Sequence, residues 1–298
     1  MRGLFPPFDP SRRRTDRRLR FRHLPVRMIL PNLVTLLALC SGLTAIRMAI
    51  ESRYDWAIAA IVLAALLDGL DGRVARLLKS TSKFGAELDS LTDFVNFGVA
   101  PAVILYTWTL DELRSLGWIV VLIFAIAAAL RLARFNVALD DVARPSWQGN
   151  FFIGVPSPAG AIVVLLPIHL WLVGLFQPDR TVAIVVAVYT VAIGLLMVSR
   201  VPTFSGKKLA VRIRRDLVMP LFVLVVLVAG FLVSYPFEVL SVGSIAYLAS
   251  LPLGWRAWHA HLQTDTRAKA DALALSLQAE AEAAAAATTG DEPAKPSA

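Results

Sequence analysis

Long, almost uniformly apolar segments separated by short polar ones are the main pattern along the chain. A helix needs about 20 apolar residues to cross the hydrocarbon core of a bilayer. About eight segments approach or exceed that length: 29–50, 54–78, 90–110, 115–138, 154–176, 180–199, 217–234 and 237–256. They are too long and too uniformly apolar for the alternating strands of a membrane barrel. The pattern therefore predicts an all-α protein, a polytopic bundle of about eight transmembrane helices.

The composition agrees with a membrane environment, and the distribution of charge predicts an orientation. Of 298 residues, 57% are hydrophobic and 17% are charged, and the mean hydropathy is +0.63. The net charge of +8 comes mostly from clusters of lysine and arginine, which lie at 11–27, 73–83, 131–134 and 205–215. With eight spans, all these clusters lie on one side of the membrane. The positive-inside rule makes that side the cytoplasm and places both termini there.

Three regions are predicted along the chain: a basic cytoplasmic arm (1–27), a transmembrane domain (28–257) and an Ala-rich cytoplasmic tail (258–298). Because the arm precedes a segment of spanning length, we expect an uncleaved arm that contacts anionic lipid headgroups rather than nucleic acid. The tail is expected to be a frayed helix that runs into disorder.

Cys40 is the only cysteine, which excludes a disulfide or a cysteine metal cluster within the chain.

Four aspartates interrupt the apolar pattern in and beside the second and third segments. Asp68 and Asp71 are three residues apart, and Asp89 and Asp93 are four apart, so each pair shares one face of a helix. The stretch between the pairs, which contains Gly85, suits the end of one helix and a reversal into the next. An antiparallel hairpin would bring both pairs to the same depth near the membrane surface. Because a carboxylate in hydrocarbon must be neutralised, paired or bound to a cation, the aspartates require positive charge.

The four aspartates offer oxygen ligands only, which select hard divalent cations such as Mg²⁺, Mn²⁺ or Ca²⁺. Four carboxylates could hold two such ions about 4 Å apart, an arrangement that clamps phosphoryl groups. Gly69 and Gly72 remove side-chain bulk where a ligand would approach the helix, and Arg76 is placed to meet a phosphate. The alternative is that the aspartates only stabilise the hairpin by pairing with neighbouring cations, which are Arg73, Arg76, Lys79 and Lys83. We expect a metal site.

The spacing of residues between positions 68 and 93 resembles the signature of the CDP-alcohol phosphatidyltransferase family. The eight matching positions are Asp68, Asp71, Gly72, Ala75, Arg76, Gly85, Asp89 and Asp93. The resemblance implies an integral membrane enzyme with the fold of that family, so that 28–257 is its catalytic domain. Such an enzyme transfers a phosphatidyl group from a CDP-activated lipid to an alcohol and releases CMP. The resemblance further implies that Asp68, Asp71 and Asp89 hold two divalent ions, Mg²⁺ or Mn²⁺, while Asp93 is the general base and an additional ligand.

Residues that bind the CDP-lipid are expected in the signature and at the start of the first span. The candidates within the signature segment are Gly69, Gly72, Ala75, Arg76 and Gly85. Asn32 and Thr35 are polar residues at the start of an apolar span and could hydrogen-bond cytidine or phosphate. The alternative roles are helix capping for the asparagine and a hydrogen bond to the helix backbone for the threonine.

The signature cannot identify the acceptor alcohol, because it binds the part of the substrate that all members of the family share. Other stretches of the chain must indicate the acceptor. Over about residues 28–235 the chain is most similar to the membrane-integral bacterial phosphatidylserine synthases. The similar stretches are LPNLVTLLALCSG (30–42), RLARFN (131–136), FFIGVPSPAG (151–160) and FSGKK (204–208). The resemblance implies CDP-diacylglycerol and L-serine as substrates, membrane lipids as surroundings and a bacterial inner membrane as location, and it allows a homodimer.

A serine acceptor needs a cation for its carboxylate, and arginine binds a carboxylate with two N–H groups. Arg131 and Arg134 are the candidates, because they end a span at the depth expected for the aspartates; the alternative is that they only anchor the span. Acceptors such as glycerol 3-phosphate or inositol phosphate would require additional cations, and choline would require an aromatic cage.

A cation-coupled transporter is the alternative from a different functional class. Acidic residues of a transporter are expected near the membrane midplane, with broken helices in corresponding halves of the chain. The four aspartates here fall within one predicted hairpin at one membrane face, and no second copy follows. The sequence therefore favours the enzyme.

Overall fold

A computed structural model describes residues 26–78, 82–139, 151–199, 201–204 and 215–289 of the chain. The α-helices in chain order are α1 Val26–Ile50, α2 Tyr54–Leu77, α3 Lys83–Phe94, α4 Ala100–Trp108, α5 Ser115–Leu139, α6 Ser157–Val164, α7 Leu166–Leu172, α8 Arg180–Val198, α9 Arg215–Ser234 and α10 Pro236–Thr289. A π-helical segment, Val95–Val99, joins α3 to α4, and a 3-10 turn, Leu110–Leu113, precedes α5. The protein is an all-α membrane protein, as the apolar pattern predicts.

Five helical segments are long and apolar enough to cross a membrane, which are Ile29–Ile50, Lys83–Trp108, Ser115–Ala138, Arg180–Val198 and Pro236–Arg256. The predicted number of eight spans is not confirmed among the described residues. α2 is long enough, but the charged residues of its second half reduce its hydropathy. The predicted span 154–176 is interrupted at Leu165, where α6 ends and α7 begins with Pro167 in its first turn. Proline cannot donate a helical hydrogen bond, which explains a break at this point.

Two short strands, β1 Phe151–Ile153 and β2 Pro202–Phe204, form an antiparallel pair that the sequence did not predict. Phe151 pairs with Phe204, and Ile153 pairs with Pro202. The strands connect the start of α6 to the end of α8. Gly154 follows β1 with a φ of +78°, and a Cβ at this position would lie 2.5 Å from the carbonyl oxygen of Met197, so the close approach favours glycine.

The helix α1 forms the centre of the part of the bundle that carries the aspartates. It packs against α2, α3, the π-helical segment and α4. Small residues such as Ala38, Ala45, Ala57 and Ala64 are fully buried in α1 and α2, and small residues allow membrane helices to approach closely. The Ser41 hydroxyl of α1 donates to the Ala60 carbonyl of α2 at 2.7 Å. In their described parts, α2 and α3 each contact α1 more than they contact each other, and aspartates of both helices converge as the predicted hairpin requires.

The π-helical segment continues α3 into α4 without interrupting the helical path. Its residues Asn96, Phe97 and Gly98 are buried. A Cβ added to Gly42 of α1 would overlap the Asn96 side chain, so the segment lies directly against α1 at a point where α1 has no side chain. This contact positions α3, and therefore the aspartates of α3, relative to α1.

The last two helices, α9 and α10, differ in how they pack against the rest of the protein. Most described side chains of α9 are exposed, as expected for a helix that faces lipid. α10 packs against α6, α7 and β2 and continues to Thr289, well into the segment predicted as a tail. Residues 1–25 and 290–298 lie outside the described residues, so the division into arm, catalytic domain and tail stays a prediction.

Candidate active site

Three carboxylates from two helices converge next to α1. Asp68 and Asp71 lie on α2 and Asp89 lies on α3, and one ligand oxygen from each lies within 4.8 Å of the others. We call these three residues the carboxylate cluster. Asp71 is buried with 3% exposure, whereas Asp68 and Asp89 are half-buried. Negative charges this close together repel one another, so the cluster is suited to hold a metal ion.

Thr35 of α1 holds the buried member of the carboxylate cluster. Its hydroxyl lies 2.8 Å from Asp71 Oδ2 and 3.1 Å from the Pro31 carbonyl oxygen. The backbone N–H of Gly72 also donates to Asp71. Thr35 is itself 4% exposed. The backbone hydrogen bond that we considered as an alternative is therefore present together with a direct bond to a predicted metal ligand.

Asp93 lies one turn beyond Asp89 on α3 and joins the same group. Its side chain interacts with that of Asp68. The Oδ1 atoms of Asp89 and Asp93 are buried, and neither has a hydrogen-bond partner among the described residues. Unpartnered carboxylate oxygens in a buried position are the donors that a hard divalent cation requires, so the residues present fit such an ion.

The neighbouring cations do not neutralise the carboxylate cluster. Within the described ranges, the only ion pair joins Arg47 to Glu51 on α1, at 2.8 Å. Arg73 and Arg76 are exposed and form no ion pair with the aspartates there. Lys79 lies outside the described residues. Among the described residues, the alternative that the aspartates serve only to pair with these side chains is therefore not supported.

Arg131 of α5 is a neighbour of Asp93. It is buried, with 8% exposure, and its guanidinium interacts electrostatically with Asp93 and lies near Tyr247 of α10. Its Nη1 donates to the Ser157 hydroxyl at 3.1 Å, and its Cζ lies 5.2 Å from the centroid of the Phe135 ring. Arg131 was predicted from the sequence as a site residue, whereas Ser157 and Tyr247 were not. Ser157 falls in the FFIGVPSPAG stretch, whereas nothing in the sequence around Tyr247 indicated a site.

Arg134 has different surroundings from Arg131. It is exposed, and its Nη1 donates to the carbonyl oxygen of Val198 at the end of α8. The two arginines are therefore not brought together as one carboxylate-binding pair. A separate contact joins α5 to α3: Asn136 of α5 donates to the Ser90 hydroxyl of α3 at 2.9 Å. This bond ties the helix that carries Arg131 to the helix that carries Asp89 and Asp93.

The residues predicted to bind the CDP-lipid lie on α1, α2 and α3. A Cβ added to Gly85 would lie 3.0 Å from Asn32 Oδ1, so these two predicted residues are neighbours. A Cβ added to Gly69 or Gly72 would meet no atom within 4 Å. Arg76 is exposed one turn beyond Gly72, and Ala75 lies in α2. Substrate contacts of these residues stay a prediction.

Comparison with known proteins gives matches over most of the chain. A sequence model of the family described as CDP-alcohol phosphatidyltransferase matches residues 28–198, and a second one, CDP-alcohol phosphatidyltransferase 2, matches residues 216–252. The chain is 38% identical over 250 residues to a CDP-diacylglycerol–serine O-phosphatidyltransferase of Mycobacterium tuberculosis, covering 80% of this chain and 83% of that protein. It is 36% identical over 220 residues to the protein of that name from Helicobacter pylori, covering 74% of this chain and 88% of that protein. An archaetidylserine synthase of Methanothermobacter thermautotrophicus is 32% identical over 174 residues, covering 58% of this chain and 70% of that protein.

Proposed function

Because the chain belongs to the CDP-alcohol phosphatidyltransferase family, we propose that it transfers the phosphatidyl group of CDP-diacylglycerol to the hydroxyl of L-serine. The products are phosphatidylserine and CMP. The observation that carries this proposal is a group of four aspartates, three of them within 4.8 Å, with one buried arginine beside Asp93. The names of relatives from Mycobacterium tuberculosis and Helicobacter pylori support serine as the acceptor.

The carboxylate cluster is the proposed binding place of the divalent ions, Mg²⁺ or Mn²⁺, with Asp93 as an additional ligand. When bound, such ions neutralise the diphosphate of the CDP-lipid and stabilise the departing CMP. Thr35 holds the Asp71 carboxylate in one orientation through its 2.8 Å hydrogen bond. Gly69 and Gly72 leave the surface of α2 open to the lipid diphosphate, and Arg76, Asn32, Thr35, Ala75 and Gly85 are its proposed neighbours.

Asp93 is the proposed general base. An alcohol is a weak nucleophile at neutral pH, so a carboxylate that takes its proton accelerates the attack on phosphorus. In the net reaction the serine oxygen becomes bonded to phosphorus, the bond between phosphorus and the CMP oxygen breaks, and the serine proton passes to Asp93. Asp93 interacts with Asp68 and lies one turn from Asp89, so it is placed beside the proposed metal site at which the alcohol would attack.

The surroundings of Arg131 support an acceptor with a carboxylate. A phosphorylated acceptor carries up to two negative charges and would require several cations. Among the described residues, Arg131 is the only cation that interacts with Asp93, while Arg134 binds the Val198 carbonyl. A single guanidinium matches the single charge of the serine carboxylate. Glycerol 3-phosphate, inositol phosphate and choline are therefore less suitable acceptors.

The positive clusters of the sequence support an active site on the cytoplasmic side of a bacterial inner membrane. CDP-diacylglycerol and surrounding membrane lipids are the proposed lipid partners, and a homodimer stays a prediction.

Release of CMP from CDP-diacylglycerol by the purified full-length protein tests the proposed function. L-serine, glycerol 3-phosphate, inositol phosphate and choline would be compared at equal concentration in the presence of Mg²⁺. We expect CMP release that depends on serine, with phosphatidylserine as the lipid product. Release that depends on another alcohol, or no release with any of them, would contradict the assignment.

A further inference from the structure

The guanidinium of Arg131 is held by residues from separate parts of the bundle. Ser157, at the first position of α6, accepts a hydrogen bond from its Nη1, and Tyr247 of α10 lies near the same group. Phe135, one turn further along α5, places its ring 5.2 Å from Cζ. Ser157 is 2% exposed and Tyr247 is half-buried. A charged side chain that is fixed from several sides loses its freedom to move before any ligand arrives.

On its Nε side this guanidinium has a donor without a partner among the described residues. A guanidinium has five N–H donors in one plane, and Nε–H with Nη2–H forms a fork that matches the two oxygens of a carboxylate. Nη1 lies outside this fork and is the atom that binds Ser157. Nε is buried and makes no hydrogen bond within the described part of the chain. The bond to Ser157 therefore fixes the direction in which the Nε edge of the guanidinium points.

We propose that Ser157 and Tyr247 are positioning residues for the acceptor, which hold Arg131 so that its Nε edge receives the acceptor carboxylate. This inference rests on the proposed function, in which serine is the acceptor. It assigns a role to α10, whose Tyr247 lies outside the family match at 28–198 and inside the second match at 216–252. The last span then contributes to the acceptor pocket rather than only to the membrane anchor.

The chemistry of the two positioning residues agrees with an amino acid as the ligand. A hydroxyl and a phenol orient Arg131 without adding positive charge, so the pocket does not favour a doubly charged phosphate. Asp93, which interacts electrostatically with Arg131, adds a negative charge that attracts the ammonium group of an amino acid. The pocket thus offers one positive and one negative group to a zwitterion.

Steady-state kinetics of three variants test the proposal: Ser157→Ala, Ser157→Thr and Tyr247→Phe. CMP release by the purified full-length protein would be measured with Mg²⁺ while L-serine and CDP-diacylglycerol are varied separately. Ser157→Ala should raise the KM for serine about tenfold, the usual effect of losing one hydrogen bond to a charged group. Ser157→Thr, which keeps the hydroxyl, should restore the KM, and Tyr247→Phe should raise it severalfold. The KM for CDP-diacylglycerol and the kcat at saturating serine should not change in any of them.

Matched controls separate positioning from a general loss of packing. Tyr189→Phe removes a hydroxyl that donates to the Val163 carbonyl, and Ser241→Ala removes one that donates to the Phe237 carbonyl. Both should keep the wild-type KM for serine. Monodisperse elution and Mg²⁺-dependent binding of CDP-diacylglycerol verify folding. If Ser157→Ala fails this check, Ser157→Cys replaces it, because a thiol has nearly the same shape and is a weak acceptor.

The outcomes separate this proposal from the proposed function. If the wild-type protein shows no serine-dependent CMP release, the proposed function fails and the inference fails with it. If the wild type uses serine but either variant keeps the wild-type KM for serine, the positioning role of that residue is overturned and the proposed function stands. Equal losses in kcat and in the KM for both substrates would likewise overturn it, because they indicate a role in folding alone.

Discussion

Thr35→Val should raise the Mg²⁺ concentration that the protein requires for half-maximal activity. Valine has nearly the shape of threonine, so the change removes the hydroxyl that lies 2.8 Å from Asp71 Oδ2 and leaves the packing of α1 intact. Asp71 would keep the N–H of Gly72 as a partner but would lose the contact that ties it to α1. Its carboxylate would then occupy several orientations, only some of which suit a metal ion.

The size of the effect follows from the burial of both groups. A hydrogen bond to a charged group contributes about 1.5–3 kcal/mol, and both Thr35 (4% exposed) and Asp71 (3% exposed) are shielded from water that could replace the hydroxyl. About 1.4 kcal/mol corresponds to a factor of ten. Residues that orient a metal ligand usually change metal affinity by about 10–100-fold. We therefore expect the Mg²⁺ requirement to rise by about 10–100-fold.

CMP release as a function of Mg²⁺ at saturating substrates measures this requirement. Thr35→Ser keeps the hydroxyl and should remain close to the wild type. Thr44→Val is a matched control on the same helix, because the Thr44 hydroxyl donates to the Cys40 carbonyl at 2.7 Å and has no carboxylate partner among the described hydrogen bonds. An unchanged Mg²⁺ requirement for Thr35→Val, or a lower one, would refute the reasoning; a lower value would mean that the hydroxyl competes with the ion for Asp71.

Further predictions concern the other residues of the site and one packing contact. Replacing any member of the carboxylate cluster by asparagine should reduce CMP release by orders of magnitude in a folded protein. EDTA should do the same until Mg²⁺ or Mn²⁺ is added back. Undiminished turnover in EDTA would contradict a metal site. Asp93→Asn should retain Mg²⁺-dependent binding of CDP-diacylglycerol while turnover falls about a hundredfold or more, whereas loss of that binding would make Asp93 an essential ligand instead of the base. Arg131→Lys should raise the KM for serine because lysine lacks the planar fork, and Arg134→Lys should change it little; the reverse order in serine titrations would exchange the two roles. Gly42→Ala should destabilise the purified protein by about 1–3 kcal/mol in thermal unfolding, because its Cβ would overlap Asn96, while Gly243→Ala, whose Cβ would meet nothing within 4 Å, should not.

The aspartates were the most predictable part of the molecule. Charge inside an apolar segment is costly enough to need a partner, and helical spacing places such residues on one face, so the local sequence is sufficient to select them. The structure brings Asp68, Asp71 and Asp89 within 4.8 Å, as their spacing suggested. The direct contact of Thr35 with Asp71 was not foreseen, because it depends on how α1 packs against α2.

The features that the sequence did not reveal depend on contacts between distant segments. In lipid, apolar helix faces resemble one another, so no pattern indicates which face of α10 packs inward and brings Tyr247 to Arg131. The segment 154–176 reads as one span because a membrane helix can tolerate proline, whereas the chain breaks into α6 and α7 at Leu165. The β1–β2 pair joins residues about fifty positions apart, which is beyond the range of any local signal.

The π-helical segment after Asp93 has a consequence for how the length of this chain can change during evolution. A π turn is equivalent to an α-helix with one inserted residue, so deleting one residue from 95–99 could restore a regular helix without breaking it. Each residue of an α-helix turns the chain by about 100°. A deletion in α4, where the helix is regular and no wide turn can absorb it, would instead rotate the two parts of the helix against each other by about that angle. The segment 95–99 is therefore a place where the chain could lose one residue while Asp89 and Asp93 keep their direction, whereas the regular parts of the helix do not tolerate such a change of length.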